Sequence, residues 1–399
     1  MSNEYDFSDI APFDDSQFKE KMSMLVKEPG FEHAVRYVMP GVDFPGFVDN
    51  LLAVPDKETF QTQVMRPFIE MLMHKTTDGI TFDGIENVKS GVSNTYITNH
   101  RDIVLDASFL NFCLLKSNIR TSEVAIGNNL LIYEWITDLV KLNKSFIVKR
   151  NLRLTQALEA AKQLSAYIHF AINQKHESVW IAQREGRAKD SNDMTQESLV
   201  KMLGLAGGGS VAQNVSEINL MPVSISYEYD PNDYLKAREF LLKRLDPEFK
   251  KCQHDDLLSM ETGLLGQKGR VHFQFAPCIN PQLQPLLEST DKIETVRRIC
   301  AMVDCAIHSG YKIFPVNYVA YDMLHHTHQY GEMYSPEMQR GFEDYINAQL
   351  DKVKLPDVSK LDREFMHEMM LQMYANPLRN KLVATGQTCA KASGDAPVK

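Results

Sequence analysis

A short β-branched run ends in the segment Thr98-Asn99-His100-Arg101-Asp102-Ile103-Val104-Leu105-Asp106. A histidine just past a strand, followed closely by carboxylates, is typical of a general base with an orienting partner. Imidazole has an ordinary pKa of about 6.5, which suits removal of a proton from a hydroxyl group at neutral pH. We therefore take His100 as the candidate base. Asp106 is the favoured partner because residues 107–110 continue an apolar helix, and Asp102 is the second choice, which otherwise caps that helix.

The sequence around this segment alternates short apolar runs with amphipathic stretches. Strands are predicted at 94–98, 146–148, 178–182, 223–227 and 270–275, and the stretches 128–141 and 154–173 have helical periodicity. This alternation predicts an α/β fold with a mostly parallel mixed sheet covered by helices. We expect four regions: an N-terminal helical region (1–78), an α/β domain (79–285), a C-terminal helical region (286–384) and a disordered tail (385–399).

Cationic side chains follow two of the predicted strands. Lys149 and Arg150 come after the run at 146–148, and a tight Glu185-Gly186 turn followed by Arg187 comes after the run at 178–182. The ends of parallel strands meet in one crevice, so these arginines can converge there. Guanidinium groups bind phosphate oxygens in a bidentate manner that ammonium groups do not match. The pattern therefore predicts a phosphate site, with Lys149 in reserve.

Together with the strand that starts at Pro222, these segments form four blocks in a fixed order. The ordered set resembles the glycerolipid acyltransferases, which acylate glycerol 3-phosphate or lysophosphatidate. The resemblance implies direct transfer of a fatty acyl group from acyl-carrier protein or coenzyme A, with no metal, no other cofactor and no acyl-enzyme. It also implies that His100 is the base and that backbone amides or a cation meet the oxyanion. Arg150 and Arg187 would hold the acceptor phosphate.

The same resemblance gives Glu185 and Gly186 a role in shaping the site. Pro222 would line the acyl or acceptor pocket, or else start an edge strand. Two positions depart from the family pattern. The family aspartate stands five residues after the histidine, where this chain has Leu105, so a widened first turn or a π-bulge would have to absorb one residue. Arg187 also stands where the family has Ser or Thr.

Composition excludes several classes of protein. The formal charge of −9 argues against a general nucleic-acid binder. The six cysteines show no paired C-x-x-C spacing, which is typical of a reducing compartment. The first residues carry no secretory signal, and no apolar window of about 18 residues predicts a spanning helix. We expect a cytoplasmic protein, peripheral on the inner membrane face because its substrates are lipids.

Two alternative functions remain open at this stage. The acceptor could be another lipid alcohol, such as an acylated amino acid. The chain could also be a degenerate relative that binds lipid or acyl-carrier protein without catalysis, since the spacing between His100 and the carboxylates is altered.

Overall fold

The computed structural model describes residues 5–356 and 358–386. In these residues one sheet of seven strands organises the fold. The strands are β1 (Ile80–Asp83), β2 (Thr95–Thr98), β3 (Glu123–Gly127), β4 (Ser145–Val148), β5 (Val179–Ala182), β6 (Leu220–Tyr227) and β7 (Val271–Phe275). They lie in the order β1-β7-β6-β2-β5-β3-β4, and every neighbouring pair is parallel except β6 with β7. The predicted α/β class with a mostly parallel mixed sheet is confirmed.

Helices fill most of the remaining described sequence. The α-helices are α1 (Asp15–Leu25), α2 (Pro29–Val38), α3 (Phe44–Ala53), α4 (Lys57–Phe60), α5 (Arg66–Thr76), α6 (Leu105–Lys116), α7 (Glu134–Leu142), α8 (Leu154–Asn173), α9 (Glu197–Leu203), α10 (Val211–Ser216), α11 (Asp233–Leu245), α12 (Gln253–Leu265), α13 (Asn280–Leu283), α14 (Lys292–Ser309), α15 (Pro315–His325), α16 (Pro336–Leu350) and α17 (Lys360–Ala384). A π-helical segment, Gln61–Met65, joins α4 to α5.

Both faces of the sheet are buried because successive side chains on a strand point to opposite sides. Tyr96 of β2 and Trp180 of β5 belong to the core cluster that contains the apolar side of α6. Ile97 and Ile181, one residue further on, belong to the opposite cluster with α8 and α14. Strands buried on both sides are typical of parallel sheets, whose crossover helices cover each face.

Two further cores lie outside the sheet. The N-terminal helices α1 to α4 enclose a cluster that includes Phe18, Leu51 and Phe60. The C-terminal helices α15 to α17 share a cluster with α11. The packing crosses the predicted boundary at 285, since α14 belongs to the core of the sheet and also contacts α17, and the domain boundaries themselves stay a prediction. Most of the predicted disordered tail, residues 387–399, lies outside the described residues.

None of the helices within 5–356 and 358–386 has the length and apolar character that crossing a bilayer requires.

Candidate active site

The carboxyl ends of four neighbouring parallel strands form one edge of the sheet. His100 lies two residues beyond β2, and the turn 184–187 begins two residues beyond β5. The order β2-β5-β3-β4 then places Gly127 at the end of β3 and Arg150 just beyond β4 on this same edge. The topology thus brings the predicted base and the predicted arginines together, as open parallel sheets do at their ligand-binding crevices.

His100 is held by the carboxylate of Asp106. The Nδ1 atom of His100 lies 2.8 Å from Oδ2 of Asp106, which also accepts hydrogen bonds from the backbone N–H groups of Arg101 and Asp102. The imidazole is 13% exposed and its ring lies 5.8 Å from that of Trp180, edge to face. A carboxylate on Nδ1 places the proton on that nitrogen and leaves Nε2 as the basic atom. Nε2 has no hydrogen-bond partner within the described part of the chain.

Asp102 has a different task. Its Oδ1 accepts hydrogen bonds from the backbone N–H groups of Val104 and Leu105, at 2.9 and 2.8 Å, so it caps the start of α6. Burial raises the pKa of Asp102, the nearby Asp106 charge raises it further, and Lys268 and Arg187 oppose the shift. The extra residue between His100 and Asp106 is absorbed by the turn before α6, not by a π-bulge, since α6 is α-helical from Leu105.

Tyr227 completes the carboxylate's environment and was not identified from the sequence. Its hydroxyl donates to Oδ1 of Asp106 at 3.0 Å from the end of β6. Burial raises the pKa of Tyr227 well above its ordinary value, and the Asp106 charge adds to the effect. The phenol therefore stays protonated as a donor. With this bond both carboxylate oxygens of Asp106 are satisfied, which fixes the carboxylate and through it the imidazole.

A cavity of about 1370 Å³ opens in front of this pair. One part of its wall, the polar floor, comes from the strand ends. The polar floor consists of His100, Arg150, Arg184, Glu185, Gly186, Arg187 and Lys189. No group of three or more His, Cys, Asp or Glu side chains suited to a metal ion occurs within residues 5–356 and 358–386.

The other part of the same wall, the apolar pocket, comes from helices outside the sheet. Helices α2 to α7 and the π-helical segment contribute its side chains. Its members include Phe31, Val35, Val38, Phe47, Leu51, Phe60, Val64, Phe68, Phe112, Trp135, Ile136 and Leu139. The cavity therefore joins an ionic end to a long apolar end, a combination that suits an amphipathic ligand.

Arg187 is a buried cation that forms no direct ion pair, although the charges of Asp102 and Asp230 interact with it. It is 6% exposed, its Nη1 atom has no hydrogen-bond partner, and it forms no ion pair with any described residue. Gly186 before it has φ +67°, a left-handed conformation that glycine adopts without strain. Arg184 also carries a buried Nε atom with no partner in the described chain. Unpaired buried guanidinium groups are costly unless a ligand neutralises them.

Arg150 and Lys149 are placed differently. Arg150 and Glu185 both line the cavity and form an ion pair, with Nη1 of Arg150 3.5 Å from Oε1 of Glu185. The ammonium group of Lys149 instead pairs with Asp9 and donates to Oε1 of Gln163 at 3.0 Å. Lys149 lines the cavity, but its charge is already neutralised by the N-terminal segment.

Pro222 lies away from this cavity. It is the third residue of β6, pairs in register with Ile97 of β2, and is not among the residues that line the cavity. The expectation that it starts an edge strand is wrong, because β6 begins at Leu220 and lies inside the sheet between β7 and β2. Proline is tolerated there because the strand's other pairing residues maintain both ladders.

A buried ion pair joins the segment after β2 to the loop after β5. Arg101, next to the base in sequence, has its Nη2 atom 2.7 Å from Oδ2 of Asp193, and both side chains are buried. Asp193 belongs to the loop that continues from the Glu185-Gly186 turn, and the hydroxyl of Tyr311 donates to it at 2.7 Å. Sequence reasoning missed this pair, since nothing local relates two residues so far apart.

No known protein-family model matches this sequence, and no curated protein matches it. Among solved structures, the chain is similar to the 1-acyl-sn-glycerophosphate (LPA) acyltransferase PlsC from Thermotoga maritima. The superposition has a TM-score of 0.38 and 10% sequence identity, and covers 72% of this chain and 93% of that one.

Proposed function

We propose that this protein is an O-acyltransferase. It transfers a fatty acyl group from an acyl-carrier-protein or coenzyme A thioester to the hydroxyl of glycerol 3-phosphate or of a lysophospholipid. The observation that carries this proposal is one continuous cavity that holds a histidine–aspartate pair, a buried unpaired arginine and an apolar pocket. Each part matches one part of the reaction: the proton to be removed, the anionic head of the acceptor and the acyl chain.

In the proposed mechanism, Nε2 of His100 takes the proton of the acceptor hydroxyl while its oxygen attacks the thioester carbonyl. The new C–O bond gives a tetrahedral oxyanion, and its collapse breaks the C–S bond. The leaving thiolate then takes the proton back from the imidazolium, so no acyl-enzyme forms. Asp106 stabilises the imidazolium during the step, as carboxylates do in other histidine-based sites.

The acceptor's phosphate is assigned to Arg187 and Arg150. Arg187 has unmet hydrogen-bonding capacity, and the cations around it are crowded. Burial, together with the nearby Arg187 charge, lowers the pKa of Lys189 to about 8. Lys189 is itself paired with Glu239 at 3.1 Å, so the support for an anionic ligand comes from the unmet hydrogen-bonding capacity of Arg187. Two guanidinium groups can hold several phosphate oxygens at once. Glu185 orients Arg150 across the cavity.

Peripheral contact with a membrane is part of the proposal, and exposed apolar side chains beside the cavity support it. Leu154 is 92% exposed and Leu158 is 52% exposed on the first two turns of α8, whose residue Ala157 lines the cavity. Exposed leucines next to a lipid-sized cavity are typical of surfaces that touch lipid.

The direct test is ester formation by the purified protein. Labelled acyl-coenzyme A and acyl-carrier protein are each incubated with glycerol 3-phosphate, lysophosphatidate and a hydroxylated acyl amino acid. We expect turnover with a phosphorylated acceptor and a loss of at least about 100-fold in His100→Ala. His33→Ala is the control, because His33 is exposed on α2 and does not line the cavity.

Equal rates in wild type and His100→Ala would contradict the mechanism. Preference for the acyl amino acid would change the acceptor class. Binding of acyl donor without turnover of any acceptor would favour a non-catalytic lipid-binding protein.

A further inference from the structure

The end of β3 lies directly beneath the side chain of Arg150. A Cβ atom added to Gly127 would stand 2.7 Å from Nε and 3.0 Å from Cζ of Arg150, and 2.5 Å from Oδ1 of Asn129. Such distances are shorter than real carbon contacts. The guanidinium group therefore occupies the space that any side chain at position 127 would need.

Backbone conformation does not explain this glycine. Gly127 has φ −68° and ψ 132°, values that every L-amino acid adopts readily. The residue is also buried at the end of a paired strand, in register with Val148 of β4. The feature that distinguishes glycine here is the space it leaves above its Cα.

The next residue holds the main chain of Arg150. Oδ1 of Asn128 accepts a hydrogen bond from the backbone N–H of Arg150 at 2.9 Å. One short segment at the end of β3 thus fixes the backbone of Arg150 and leaves room for its side chain to cross toward Glu185. The main chain at Gly127 packs against the guanidinium group, and the carboxylate of Glu185 pairs with it.

We infer that Gly127 is a positioning residue that sets where the Arg150 guanidinium lies, and hence selects acceptors that carry a phosphomonoester. This inference rests on the proposed function. Gly127 itself touches no substrate and acts only through Arg150. Displacing a binding group by about 1 Å is enough to lose much of its contribution.

The test is the variant Gly127→Ala, assayed with a phosphorylated acceptor and with an uncharged one such as monoacylglycerol. We expect KM for the phosphorylated acceptor to rise about 10-fold, with kcat and KM for the acyl donor unchanged. The uncharged acceptor should show no change. Gly341→Ala is the matched control, because a Cβ at this exposed position of α16 meets nothing within 4 Å.

A double-mutant cycle separates this role from a general loss of packing. In Arg150→Met, the added Gly127→Ala should have no further effect on acceptor KM, because the group it displaces is gone. A similar rise in KM in both backgrounds, or a rise with the uncharged acceptor as well, would overturn the inference. Melting temperatures of all variants are measured, and if a variant melts below the assay temperature, the whole set is assayed again at a lower temperature at which every variant is folded.

Failure of the proposed function gives a distinguishable result. If wild type turns over no acceptor, binding of inorganic phosphate and of glycerol 3-phosphate is measured by calorimetry on the same variants. Weaker binding by Gly127→Ala than by wild type and Gly341→Ala would support the inference. Equal binding, or no binding by wild type, would overturn it.

Discussion

The polar floor and the apolar pocket are two ends of one cavity, but they are built by different means. The polar floor comes from the ends of hydrogen-bonded strands, and its central groups are fixed by buried bonds, as His100 is by Asp106 and Tyr227. The apolar pocket comes from side chains of several helices that meet largely through apolar packing. The difference indicates that polar groups that act on a ligand need fixed orientations, whereas an apolar chain needs only an apolar space of sufficient volume.

The largest expected effect tests how strictly the polar floor is fixed. Asp106→Asn should lower kcat by about 1,000-fold, because an amide cannot stabilise the imidazolium and favours the wrong tautomer. Asp102→Asn is the matched change, and we expect kcat within about threefold of wild type, since the amide oxygen can still cap α6. Steady-state rates of ester formation measure both. Comparable losses in the two variants would remove the distinction drawn between these carboxylates.

The next effect concerns charge in the polar floor. Arg187→Met should raise KM for a phosphorylated acceptor by about 100-fold, because the ligand then loses two charge-assisted hydrogen bonds from a buried guanidinium group. Arg150→Met should cost about 10-fold, since Arg150 is partly exposed and shares its charge with Glu185. Uncharged acceptors serve as the control and should bind all three proteins alike. The reverse ranking of the two arginines would contradict this assignment.

A smaller effect is expected at Tyr227, which donates a hydrogen bond to the partner of His100. Tyr227→Phe should lower kcat about 20-fold, because one oxygen of a buried carboxylate loses its donor. KM for donor and acceptor should stay the same, since Tyr227 does not line the cavity. Kinetic constants and the melting temperature are measured together. A drop in melting temperature with unchanged kcat would make Tyr227 a stabilising residue only.

The smallest effect tests the apolar pocket. Val64→Phe places a larger side chain in the pocket wall and should reduce kcat/KM for long-chain acyl donors about fivefold relative to short-chain donors. Val383→Phe, at a site that is 72% exposed, is the control. Competition between labelled donors of two lengths measures the ratio. An equal loss with both lengths would show that the substitution disturbs the polar floor instead.

The sequence predicted the polar floor better than the pocket because the floor depends on short-range order. Once strands are placed at 94–98, 146–148 and 178–182, parallel pairing alone brings His100, Arg150 and Arg187 to one edge. Lys149 shows the limit of this reasoning. Its position beyond β4 was predicted, but its pairing with Asp9 depends on where the N-terminal segment packs.

Two strands escaped sequence analysis for physical reasons. β3 begins with Glu123, a buried carboxylate that accepts a hydrogen bond from Tyr167 and pairs with Lys175, so its hydropathy is unlike that of a core strand. β1 is a short edge strand whose residues alternate between half-buried and exposed. For the apolar pocket, sequence analysis named only Pro222 as a lining residue, which the cavity lining does not include, and none of the helical side chains that form it. An amphipathic pattern shows which face of a helix is buried, but not that several such faces leave a space between them.

The ion pair between Arg101 and Asp193 has a consequence for how such a protein can diversify. It joins the backbone next to His100 to the far end of the loop that begins with the turn 184–187. The exposed Asn192 can therefore be exchanged while both anchor points stay in place. Under the proposed function, a different acceptor would require new side chains at 184–187 and no change in the pair formed by His100 and Asp106.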